Sequence, residues 1–226
     1  PEDFKTLAAD RSKKGFNVIQ IVAGLYPEMN PFDEAGENEA GFPWERDYSR
    51  IRPEYFDAAD RRIMFLVEQG FVPCIVGAWG FHLPWLGGER MKKHWRYIIA
   101  RWGALPVVWV AAGELRMPCY KSTTQIEDES LQINGWTDII RYMRTIDPYH
   151  RLITTHPTRY ARHEVTDPSL LDFEMNQGGH SSTGPSYASL ALECWREKPT
   201  MPVMCGESCY EALVLPTPLP AAAARQ

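Results

Sequence analysis

Two short apolar runs in this chain stop in the same way. Val107-Val108-Trp109-Val110-Ala111-Ala112 runs into Gly113-Glu114, and Pro202-Val203-Met204-Cys205 runs into Gly206-Glu207. Each reads as a buried parallel strand that carries one carboxylate to its C-terminal rim. Two carboxylates facing one pocket are the equipment for cleaving a glycosidic bond.

The remaining composition narrows the setting. At 226 residues, 44% hydrophobic and 12% aromatic, the chain has enough apolar material for one α/β domain near the lower size limit of a barrel. A net charge of -5 supplies no field that gathers phosphates, which argues against nucleic acid and anionic membranes as partners. No apolar run approaches the ~20 residues of a membrane span. The five cysteines are odd in number and irregularly spaced, against both a disulfide framework and a zinc ribbon. Cys74 and Cys205 lie in apolar runs and read as core thiols.

Strand-like and helix-like segments alternate along the chain. Strands are expected at 17–22, 71–77, 107–112, 152–155, 171–175 and 202–206. Helical spacing joins Phe56, Ala59, Ile63, Leu66 and Val67, then Met91, Trp95, Ile98, Ile99 and Trp102, then Ile139, Ile140, Met143 and Ile146. A polar insertion is expected around 122–130 and a last helix over 187–196. Such alternation predicts a parallel sheet, either doubly wound or closed.

Loop lengths favour closure. The segments after the strands are long and rich in aromatic, glycine and polar residues, whereas the helix-to-strand links are as short as Gln69-Gly70. Elaboration of one rim is the pattern of a (β/α)8 TIM barrel, whose active site forms at the strand C-termini. No strand is followed by a Gly-x-Gly-x-x-Gly or a P-loop, against a nucleotide fold. No cofactor is implied. Glu114 and Glu207 are 93 residues apart, or three units of about 31, the length of a βα repeat. Counting 107–112 as strand four makes 202–206 strand seven. Strands two to seven are then present and strands one and eight are missing.

An ordered set of segments carries a family resemblance. It comprises Lys14-Gly15-Phe16-Asn17-Val18-Ile19-Gln20, Asn30-Pro31-Phe32, Tyr55-Phe56-Asp57, Gly77-Ala78-Trp79-Gly80, Trp109 with Gly113-Glu114, His156-Pro157, Gln177-Gly178-Gly179-His180 and Gly206-Glu207-Ser208-Cys209-Tyr210-Glu211. From about Phe4 to Leu213 the chain resembles the apiosidase-like glycoside hydrolases (family 140-like), of the retaining (β/α)8 clan. The resemblance implies that Glu114 is the general acid/base, that Glu207 is the nucleophile, and that the substrate is a plant cell-wall-type carbohydrate. The family pattern has Gly-Gly-Asp where this chain has Ala112-Gly113-Glu114, so the carboxyl here reaches about one methylene further.

The substrate-binding candidates follow the same rim. Trp79 and His82 end the strand at 71–77 and form a candidate sugar-stacking wall, with a cover for the barrel top as the plainer role of Trp79. The resemblance implies sugar or nucleophile contacts for Gln177 and His180, against a histidine satisfied by backbone in a glycine turn. His156 is a binding candidate or a loop anchor, and Asn30 lies in a long rim loop. Tyr210 is placed to hydrogen-bond a carboxylate and keep it ionised. Glu174 and Glu211 are decoys, Glu174 by pointing outward between strand and helix.

Two other function classes remain open. A metal-dependent barrel hydrolase would use His82, His156, His180 and the glutamates, although no His-x-His or His-Glu-x-x-His supports a metal. A non-catalytic carbohydrate-binding role is the other. The family's opening Gly-Asp-Thr-x-Trp type segment is not found, and 216–226 reads as a low-complexity tail. The expectation is therefore a fragment of a longer product. Residues 1–215 would form a partial catalytic domain, poorly stable or inactive alone.

Overall fold

The computed structural model describes residues 2–27, 30–178 and 187–208. Helices and parallel strands alternate through them. In chain order they are α1 (Glu2–Lys13), β1 (Val18–Leu25), α2 (Pro53–Glu68), β2 (Val72–Ala78), α3 (His82–Leu86), α4 (Gly88–Trp102), β3 (Val108–Gly113), α5 (Gln125–Ile146), β4 (Ile153–His156), β5 (Glu174–Gln177), α6 (Tyr187–Arg196) and β6 (Val203–Glu207). This is an α/β fold. β1 to β4 form a four-stranded sheet in sequence order, and β5 pairs with β6 in a second. All of these pairings are parallel.

The helix-to-strand links are short because glycine ends the helices. Gly15 and Gly70 adopt φ of 82° and 83°, a conformation that costs an L-residue with a Cβ. At each, two backbone bonds close the helix: Gly70 N to Val67 O and Phe71 N to Leu66 O, 3.0 and 2.9 Å, and the equivalent pair at Gly15 and Phe16. The chain therefore turns back into β1 and β2 within a few residues.

The main core lies between the four-stranded sheet and the helices that cover it. Cys74, Ile75 and Val76 of β2 and Trp109 and Val110 of β3 are fully buried, against Trp95, Ile98 and Trp102 of α4 and Trp136, Ile139, Ile140 and Met143 of α5. The Trp95 and Trp109 rings meet edge to face, centroids 6.0 Å apart. Trp109 turns its indole N–H to Asp147 Oδ2 at 2.9 Å, so this residue is framework.

Three local expectations are corrected. The polar stretch at 122–130 is no insertion throughout, because α5 already begins at Gln125. Ser122 bonds Asp128, and Asp128 N reaches Thr124 O at 2.9 Å, so its polar residues lie against and within a first helical turn. Likewise, β5 starts at Glu174 and not near Leu171. The intervening Asp172 is engaged sideways, where its Oδ2 accepts from Ile153 N (2.6 Å) and Arg144 (2.7 Å). Together with Thr154 Oγ1 donating to Phe173 O, this ties β4 to the start of β5. Finally, Cys74 is buried but Cys205 is exposed, because β6 is only partly covered among the described residues, whereas its partner β5 is buried throughout.

Candidate active site

The C-terminal ends of β2 to β6 send side chains to one connected cluster, which Gln20 joins from within β1. Glu114 directly follows β3, and Glu207 is the last residue of β6. The β2–β3 ladder continues as a bridge between Trp79 and Gly113, and Gly113 has no side chain to displace the Trp79 indole, against which a Cβ would collide. Trp79 Nε1 consequently donates to Glu114 Oε2 at 3.2 Å. From β5, Gln177 Nε2 donates to Glu114 Oε1 at 3.2 Å. Both carboxylate oxygens are thus held by uncharged N–H groups, from a backbone at the unusual φ of 40°.

Glu207 is held from another direction. His156, the buried last residue of β4, places Nε2 3.0 Å from Glu207 Oε2, and its Nδ1 lies 3.2 Å from Gln20 Nε2 on β1. A carboxylate only accepts, so Nε2 is the protonated nitrogen. The Trp79 and His156 rings are 5.8 Å apart, and Gln177 is the ladder partner of Glu207. These two contacts join the surroundings of one glutamate to those of the other.

The comparisons with known proteins add to this geometry. A family model described as "Apiosidase-like, catalytic domain" matches residues 1–223. The chain belongs to the apiosidase-like family. Two solved structures are similar to the fold of this apiosidase-like chain. One is a glycoside hydrolase family 5 protein from Bacteroides vulgatus, with TM-score 0.64 and 19% identity over 93% of this chain and 46% of that one. The other is described as a glycoside hydrolase, with TM-score 0.64 and 19% identity over 93% of this chain and 49% of that one. The chain therefore spans about half the length of the structures it matches. Comparison with curated proteins gives no match.

The cluster of this apiosidase-like domain joins Glu114, Glu207, Trp79, His156 and Gln177. His82 stands elsewhere, buried in α3 with Nε2 2.8 Å from the Tyr26 carbonyl. That bond anchors the loop after β1, and burial holds the ring's pKa down at about 4. Asn30 donates to Asp33 (3.1 Å) and accepts from Lys121 (2.7 Å), linking two rim loops. Asn30 and His82 border a narrow cavity beside Phe32, Trp44 and Tyr48 that neither glutamate lines. His180, Tyr210 and the decoy Glu211 lie outside the described residues. Glu174 is fully buried and accepts from Arg162 Nε at 2.5 Å, on the same alternation of β5 as Asn176, whose amide reaches Cys194 of α6. Among the described residues, no group of three His, Cys, Asp or Glu side chains is arranged to hold a metal ion.

Two further residues escaped the sequence reading. Gln20 sits on β1 among apolar neighbours, and a polar side chain in such a strand was the available signal. Glu164 carried none. Its buried carboxylate accepts from Arg116 N (2.9 Å) and from Thr158 N and Oγ1 (3.0 and 2.7 Å). It thereby ties the loop after Glu114 to the loop after His156. Burial pushes its pKa up, against the pull of these donors.

Proposed function

We propose that this chain carries the catalytic carboxylates of a retaining glycoside hydrolase acting on a plant cell-wall-type carbohydrate. Family membership supports the reaction class. The observation that carries the reading is the pair of differently held glutamates at the same ends of β3 and β6, inside one cluster. Glu207 attacks the anomeric carbon as Glu114 protonates the departing glycosidic oxygen, giving a glycosyl ester on Glu207. Glu114, now a carboxylate, then takes a proton from water, which attacks the same carbon and frees Glu207. The His156 N–H stabilises the charge that returns to Glu207 as the ester breaks. In a retaining enzyme the two carboxyls stand about 5–5.5 Å apart.

We also infer that the two sheets are arcs of a (β/α)8 barrel, with further strands flanking β1 and β6. Val18, Ile19, Ile21 and Val22 on β1 are only partly buried, whereas β2 and β3 are buried almost throughout. An added strand would cover that edge.

The deciding experiment is Glu207→Ala assayed on a panel of glycosides with and without azide. Loss of cleavage, with azide giving a glycosyl azide of inverted configuration, supports the nucleophile role. Undiminished cleavage refutes it. On the intact protein, products that keep the substrate's anomeric configuration support retention, and inverted products exclude it.

A further inference from the structure

We propose that Gln20 is a positioning residue that fixes the tautomer of His156 and, through it, keeps an N–H permanently directed at Glu207. The proposal rests on the nucleophile reading of Glu207. Its structural part is tested separately.

The argument begins with donors and acceptors. Glu207 Oε2 requires a hydrogen on His156 Nε2, and a neutral imidazole carrying that hydrogen has a bare Nδ1. A bare nitrogen buried beneath the cluster needs a donor. The atom facing it is Gln20 Nε2 at 3.2 Å. Gln20 Oε1 is meanwhile buried and has no hydrogen-bond partner among the described residues. The glutamine thus leaves its carbonyl unpaired while its amide N–H₂ serves the histidine. That arrangement suits only a neutral Nε2–H ring, since a protonated Nδ1 would face another donor.

The other neighbours of His156 do not set its tautomer. Trp79 lies tilted against the ring and gives its N–H to Glu114, Met175 and Gly206 pack nearby without charge, and the ladder partner Gly113 has no side chain. Glu207 is the only titratable side chain shown facing the ring among the described residues. With the tautomer fixed from the Nδ1 side, the ring needs no proton change during turnover. It donates to the free carboxylate, to the glycosyl ester, and to the carboxylate that reforms. A glutamine supplies this donor, whereas a carboxylate at position 20 would accept from Nδ1 and recruit a second proton onto the ring.

The test is nitrogen NMR of the 226-residue chain with labelled histidine, His156 being assigned by subtraction with His156→Gln. At neutral pH the intact chain is expected to show a bare Nδ1 and a protonated Nε2. Gln20→Glu is expected to add the Nδ1 proton and to move the pH profile of kcat. Gln20→Met, which can neither donate nor accept through an amide, is expected to lower kcat about tenfold at unchanged KM, the cost of one hydrogen bond. A protonated Nδ1 in the unsubstituted chain overturns the proposal whatever the variants do. So does a Gln20→Glu spectrum that keeps Nδ1 bare. Because these spectra need no substrate, full cleavage by Glu207→Ala would remove the nucleophile reading of Glu207 and leave the tautomer result standing.

Discussion

Gly113 lies directly against the Trp79 indole, so closely that a Cβ at position 113 would overlap the six-membered ring. The missing side chain lets the tryptophan lie across the strand end and reach Glu114. Gly113→Ala is therefore expected to displace the indole. Overpacking of this kind costs about 1–3 kcal/mol, and loss of the Trp79 bond should also lower glycoside cleavage. Chemical denaturation and a glycoside cleavage assay measure the two effects, and unchanged stability would contradict the contact.

Much of this arrangement was legible in the sequence because each strand is short, apolar and closed by glycine or a polar residue. β2, β3 and β6 lie within one residue of the expected segments, and the Gly-Glu endings located both carboxylates. What periodicity left out has physical reasons. Asp172 looks like part of a strand yet spends its carboxylate on the neighbouring β4. Ser122 and Asp128 look like a polar loop yet bond each other across the start of a helix. Gln20 bonds His156 from far along the chain, and Glu164 links its neighbour Thr158 to the distant Arg116, and local pattern carries no information about such distances.

Glu114 itself adopts φ of 40°, a conformation that disfavours any residue with a Cβ. Glu114→Ala and Glu114→Gly both remove the carboxylate, so both should lose general acid/base catalysis. Their stabilities should nevertheless differ, with the glycine variant the more stable by about 1 kcal/mol. This reverses the usual order, in which glycine is less stable than alanine. Denaturant midpoints at equal m-value decide it.

Glu164 accepts three hydrogen bonds with two oxygens. Glu164→Gln keeps the shape but turns one oxygen into a donor, which must face the N–H of Arg116 or of Thr158. An unsatisfied buried donor costs about 1–3 kcal/mol. Because the two loops so joined carry Glu114 and His156, kcat should fall more than KM rises. An unperturbed kcat would show that the clamp does not reach the site.

His94 offers a prediction about acid stability. Its Nε2 lies 2.8 Å from the Gly77 carbonyl, and its Nδ1 accepts from Trp44 Nε1 at 3.2 Å. The buried ring is fully satisfied only when neutral, and burial lowers its pKa from 6.5 to about 4. The unfolded chain therefore binds a proton that the folded chain refuses between those values. Stability from His94 is fully present above pH 6.5 and is lost as the pH falls toward 4. A shift of this size is worth roughly 3 kcal/mol, and His82, held down in the same way, adds a similar loss. Glu164 works in the opposite sense, since its raised carboxyl favours the folded state at low pH. His94→Gln keeps an acceptor for Trp44 and a donor for Gly77 but cannot titrate. It leaves His82 and Glu164 in place, so the difference from the parent isolates one histidine. Unfolding free energies across this range should fall less steeply in the variant, by the slope of about one proton. Identical slopes would mean that His94 does not remain neutral in the folded chain.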